Sequence, residues 1–142
     1  MKQVAIDSSV LVSALVKGDK HRHVARQVME KIFRGEYKAT ASAIVFVEVC
    51  GAISRRAGMQ NAIVARDQLV KWRDIGLITY NELTAKRTRE AAELAIRLSL
   101  KGMDAIVVQL ATEKGIPLIT LDEEIAERAK SVVEASARRD TN

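Results

Sequence analysis

Apolar and polar positions alternate along this chain in blocks that switch between strand and helix spacing. Residues 3–6 read as a short buried strand ending at Asp7, and Ser8 or Ser9 offers a cap for a helix running to Val16. Residues 17–22 form a charged connector containing Gly18. The next helix carries Val24, Val28 and Ile32 on one stripe, with Ala25, Met29 and Phe33 beside it, and Gly35 sits where a helix-ending glycine belongs. A second strand is expected over residues 38–40.

Residues 43–56 contain the run Ile44-Val45-Phe46-Val47, which has strong strand propensity. The stretch nevertheless continues to Arg55-Arg56, stops at Gly58 and follows a plausible cap at Ser42, so a helix is predicted. Ala62, Ala65, Leu69 and Trp72 mark another helix, ending before Gly76, and residues 77–80 a third strand. An amphipathic helix with Ala91, Leu94, Ala95 and Leu98 follows Thr84. Gly102 interrupts, and Asp104 falls in the first turn of a helix reaching Lys114. Gly115-Ile116-Pro117 turns into a strand over residues 118–120. Asp122 can cap a helix over residues 123–130, and residues 132–134 are expected as a last short strand. This alternation predicts a three-layer α/β domain around a mostly parallel sheet flanked by helices on both faces. One domain over residues 1–135 is expected, with a frayed polar tail over 136–142.

Against this pattern four acids stand out. Asp7, Glu48, Asp104 and Asp122 each interrupt or end an otherwise apolar run. A buried carboxylate is costly unless paired, hydrogen-bonded or bound to a cation. Asp122 alone is explained by helix capping, and Asp104 by complementing a helix dipole. Glu48 is harder to dismiss. Its neighbours are Ile44, Val45, Gly51 and Ala52, and Arg55 and Arg56 lie roughly 10–12 Å along the helix. Asp7 ends a strand and precedes two serines. In parallel sheets, sites form at the C-terminal edge of the strands, where Asp7 and Asp122 both fall. Together the four suggest a hard divalent cation held by oxygen and metal-assisted phosphodiester hydrolysis.

Composition narrows the picture further. The 142 residues are 48% hydrophobic, 29% charged and only 4% aromatic, and carry a net charge of +5. A basic surface suits nucleic acid, and an acidic cluster within it makes sense when metal bridges carboxylate and phosphate. Cys50 is the only cysteine, which excludes an intramolecular disulfide and a cysteine-rich zinc site. No apolar run approaches the ~20 residues that span a bilayer. With no room for a signal peptide before the first strand, a cytoplasmic location is expected. His21 and His23 lack further ligands for a zinc site. There is no phosphate-binding glycine loop, and Ser8, Ser9 and Ser13 have no histidine base nearby.

The segments VAIDSSVLVSAL and MDAIVVQLATEKGIPLITLD, with the Glu48 helix between them, resemble the PIN-domain ribonucleases, and among these the VapC toxins of toxin–antitoxin pairs. The resemblance covers nearly the whole chain and is strongest at Asp7-Ser8-Ser9 and Thr120-Leu121-Asp122. It implies a sheet of order 3-2-1-4-5. It also implies that Asp7, Glu48, Asp104 and Asp122 hold Mg²⁺ or Mn²⁺ and activate water; of these, Asp7, Asp104 and Asp122 are expected as direct ligands. Glu48 would bind through water or orient the nucleophile. Ser9 matches a small hydroxyl residue that supports the first acid, and Thr120 the hydroxyl two residues before the last acid. The implied partners are an RNA substrate, a small antitoxin and a second copy in a homodimer. Lys17, Lys20, Arg22 and Lys101 are the candidate contacts to substrate phosphate. Two rivals are a receiver-like protein phosphorylated on Asp7 with help from Lys101, and a PIN-like module that binds RNA or protein without cutting.

Overall fold

A computed structural model describes residues 1–135. The strand β1 (Lys2–Ile6) leads into helices α1 (Ser8–Leu15) and α2 (Arg22–Phe33). The same unit recurs as β2 (Tyr37–Ser42) with α3 (Ala43–Ala57) and α4 (Met59–Asp74), and as β3 (Ile78–Asn81) with α5 (Ala85–Leu98) and α6 (Gly102–Lys114). The last unit is β4 (Leu118–Ile119) with α7 (Glu123–Ala129). All pairings are parallel and the sheet order is β3-β2-β1-β4. The fold is a three-layer α/β sandwich, as expected, with the helices flanking the sheet.

The fifth strand of the expected 3-2-1-4-5 order is absent among the described residues. Its place is marked by one parallel bridge between Leu118 and Ala135, with the Leu118 N–H donating to Glu134 O at 2.8 Å. Val132 and Val133, expected in that strand, instead donate their N–H groups to Ala129 O at 3.0 Å. Those bonds hold them in a turn continuing α7, so pairing begins only beyond them. The tail expected over residues 136–142 lies outside the described residues.

Local chemistry explains the helix boundaries that matter for the site. In α3, the strand-prone run is helical because Ser42 caps it, accepting from the Ile44 N–H at 3.4 Å. Val45, Val49 and Ile53 recur every four residues and bury one face completely. The helix ends at Gly58, whose φ of +89° suits glycine far better than other residues. The core around β1 contains Val4, Ile6, Leu11, Leu118 and Ile119, all buried. Side chains at the ends of β1 and β4 are therefore held by a close-packed base. No helix of the described residues is long and apolar enough to cross a membrane.

Candidate active site

Adjacent parallel strands place Asp7 and Thr120 side by side. β1 and β4 pair Ala5 with Leu118 and Ile6 with Ile119, so the next residue on each strand faces the other across the sheet's C-terminal edge. Asp7 is the N-cap of α1, a role expected for Ser8 or Ser9. Its Oδ1 accepts from the Ser9 N–H at 3.1 Å and from the Ser9 hydroxyl, while Ser8 is already the first helical residue. Its Oδ2 accepts from the Thr120 hydroxyl at 2.6 Å.

The direction of both hydroxyl protons is set by what each oxygen accepts. Ser9 Oγ takes the Leu121 N–H at 3.0 Å, and Thr120 Oγ1 takes the Asp122 N–H at 3.0 Å. Each hydroxyl thus receives a backbone proton and passes its own to Asp7. The turn after β4 is laced to the turn after β1 through these two side chains. Thr120→Val is nearly isosteric, removes the Oδ2 bond and leaves the Asp122 N–H without its acceptor. It should cost about 1–3 kcal/mol of stability in urea unfolding. A loss of a few tenths would mean that the lacing contributes little.

The other acids approach from three helices. Asp122 caps α7, with Oδ1 accepting from the Glu124 N–H at 2.9 Å and the Ile125 N–H at 3.3 Å. Glu48, half-buried on α3, accepts a hydrogen bond from the Ser8 hydroxyl. That bond supplies the partner that Arg55 and Arg56 do not, and ties Glu48 to the residue following Asp7. Arg56 is committed elsewhere, donating to Asp19 at 2.8 Å. Asp104 sits half-buried in the first turn of α6 and accepts no hydrogen bond from a described side chain.

Electrostatics links these groups. Burial pushes the Asp7 carboxyl up to about 6, opposed by the hydrogen bonds from Ser9 and Thr120 and assisted by the charge of Asp122. Burial also raises Asp104, and the charges of Asp122, Glu48 and Glu124 add to it while Lys101 opposes them. Asp104 therefore feels three other carboxylates. Lys101 stands beside the acids. Lys17, Lys20 and Arg22 do not: they lie past the opposite end of α1, roughly 12 Å along its axis from Asp7.

No three Asp, Glu, His or Cys side chains among the described residues are grouped tightly enough to surround an ion as they stand. The hydrogen bonds give the reason. Asp7 is turned to Ser9 and Thr120, Asp122 to the start of α7, and Glu48 to Ser8. The donor chemistry itself fits a hard divalent cation. It is all carboxylate, and the repulsion that raises Asp104 is what a bound cation relieves.

Sequence reasoning did not find the Ser8–Glu48 bond or the role of Asp7 as a cap. The signal for the cap was the Asp7-Ser8-Ser9 triplet itself, since an Asp before two hydroxyls is a strong capping pattern; the Ser8–Glu48 bond spans 40 residues and has no local signal.

The chain's structure is similar to that of VapC20 from Mycobacterium tuberculosis, described as a sarcin-ricin loop cleaving toxin. The two share 20% identity with a TM-score of 0.74, covering 92% of this chain and 97% of that one. VapBC2 from Rickettsia felis, solved with a DNA fragment from its promoter, matches at 16% identity and TM-score 0.69, over 94% of this chain and 98% of that one. FitAcB from Neisseria gonorrhoeae matches at 13% and 0.69, over 94% and 96%. At these identities the likeness is one of fold. No curated protein matches the chain in sequence. The PIN domain model matches residues 4–131, a span that runs from within the strand preceding Asp7 to just past the helix capped by Asp122, and the chain belongs to the PIN domain family.

Proposed function

We propose that this chain is a Mg²⁺- or Mn²⁺-dependent endoribonuclease acting as the toxin of a toxin–antitoxin pair. The observation that carries the reading is the meeting of acids at the C-terminal edge of β1 and β4: Asp7 is laced through Ser9 and Thr120 to the turn bearing Asp122, Glu48 is tied to Ser8 beside Asp7, and Asp104 lies close enough to feel Asp122 and Glu48. A fold that needed these acids only for structure would gain nothing by letting them repel one another. Membership of the PIN domain family and the VapC toxins among the structural neighbours support the same reading.

Asp7, Asp104 and Asp122 would hold the ion, with Glu48 bound through water or orienting the attacking water. When bound, the ion supplies an acidified water and neutralises charge on the scissile phosphate. The chain's own contribution is positional. Ser9 and Thr120 hold both oxygens of Asp7, Ser8 holds Glu48, and the start of α7 holds Asp122. Lys101 would meet substrate phosphate beside Asp104, whereas Lys17, Lys20 and Arg22 would act only on a strand extending past α1. One nuclease domain over residues 1–135, a homodimer, a small antitoxin partner and a cytoplasmic location complete the proposal.

The test is cleavage of single-stranded RNA. The protein should cut with added Mg²⁺ or Mn²⁺ and stop in excess EDTA. Cutting that survives EDTA would sink the metal-dependent reading. Metal-dependent RNA binding without cutting, across several RNAs, would favour the non-cutting module.

A further inference from the structure

Parallel sheets are normally covered on both faces and their strands read as continuous apolar runs. Part of this sheet departs from that rule. In β2, Lys38 and Thr40 alternate with buried Tyr37, Ala39 and Ala41, and in β3 Thr79 is exposed beside buried Ile78. The register sets Gln3 beside Lys38, Thr40 beside Thr79 and Ser42 beside Asn81. Helix α6 packs on β1 and β2, and Lys114 in its last turn borders the part left open. The result is a concave pocket of about 160 Å³ lined by Gln3, Lys38, Thr40, Thr79, Asn81 and Lys114.

The polar groups of this pocket are partly committed and partly free. Asn81 donates its amide protons to Thr40 Oγ1 and, at 3.1 Å, to Ala41 O, and Thr40 donates to Thr79 O at 3.2 Å. Neither Lys38 nor Lys114 has an ion-pair partner among the described residues. Glu113, whose carboxylate feels Lys114, is already held by two bonds from Arg87 at 3.1 and 2.9 Å. Two lysines thus line an open recess in which the Asn81 amide is locked in place. The volume is below the ~300 Å³ typical of small-molecule sites. It suits a single phosphate group on a longer chain.

We propose that this pocket binds a backbone phosphate of the RNA strand, away from the bond that is cut. Lys114 lies ten residues beyond Asp104 on α6, about 15 Å along the axis, so the contact is made outside the scissile position. The identity of the strand rests on the ribonuclease reading; the phosphate chemistry of the pocket does not.

Binding of a short fluorescent single-stranded RNA is measured in EDTA, where no cutting intervenes. Lys38→Ala combined with Lys114→Ala should weaken binding roughly tenfold and reduce the slope of log K against log salt by about 0.7, the value for one phosphate on a single strand. The pair Lys71→Ala and Lys86→Ala, with the same charge change on α4 and α5, should leave both essentially unchanged. Equal losses in the two pairs would reduce the effect to general charge and overturn the pocket. Tight binding of inorganic phosphate or a mononucleotide, abolished in the Lys38/Lys114 pair, would make it a free-anion site and overturn the strand assignment. Capture of a polyglutamate peptide through these lysines, with RNA affinity unaltered, would assign it to an acidic protein segment instead. RNA binding that needs the two lysines, in a protein that never cuts RNA, removes the nuclease reading and leaves the pocket standing. Cutting with lysine-independent binding does the reverse.

Discussion

Asp104→Asn should lower the rate of metal-dependent RNA cleavage at least about tenfold while leaving RNA affinity unchanged. A tenfold loss corresponds to about 1.4 kcal/mol of transition-state stabilisation, a modest demand on a residue that holds the ion. The substitution keeps the shape of the side chain and breaks no hydrogen bond, since Asp104 accepts none from a described side chain. It also removes the repulsion that Asp122 and Glu48 impose on this position. The metal-free variant should therefore be at least as stable as the parent protein. That combination separates a direct role from damage to the fold: activity falls while the melting temperature holds or rises. A variant that keeps its full rate would remove Asp104 from the site.

The metal-free protein should lose stability as pH rises from about 4 to 7, with Asp7 as the main source. Its carboxyl lies at 3.8 when unperturbed and at about 6 in the folded chain. Between those values the folded state binds more protons than the unfolded state, so stability falls as pH climbs. The contribution is fully present below 3.8 and lost once pH passes about 6. The interval corresponds to about 3 kcal/mol. Asp104 is shifted in the same direction and adds to the slope. Added Mn²⁺ or Mg²⁺ should restore stability at pH 7, because a cation favours the charged carboxylates it binds. In Asp7→Asn both the pH slope between 4 and 6 and the metal-induced rise in melting temperature should largely disappear. An equal rise in that variant would place the cations elsewhere, and a stability that increases from pH 4 to 7 would contradict the buried state of Asp7.

Much of this was legible in the chain because it depends on neighbours in sequence. Ser42 before an apolar four-residue repeat specifies the start of α3 even though Ile44-Val45-Phe46-Val47 favours a strand. Gly58 and Gly115, both with positive φ, mark helix ends where they stand. Asp104 in a first helical turn and Asp122 after a strand were readable for the same reason. The last strand was not. Val132 and Val133 have the composition of a strand, but their N–H groups find Ala129 O one turn back, and a local bond of that kind forms without the entropy cost of closing a long loop.

The identity of the acids and their positions at element ends follow from local sequence, since capping and periodicity act within a few residues. What each acid faces is decided only by the fold. Ser8 reaches Glu48 across 40 residues, and Thr120 reaches Asp7 across 113. The polar face of β2 and β3 opens beside Lys114 only because of where α6 ends. Such contacts depend on strand order and helix packing, and long-range geometry of that kind is encoded by the whole core rather than by any motif within it.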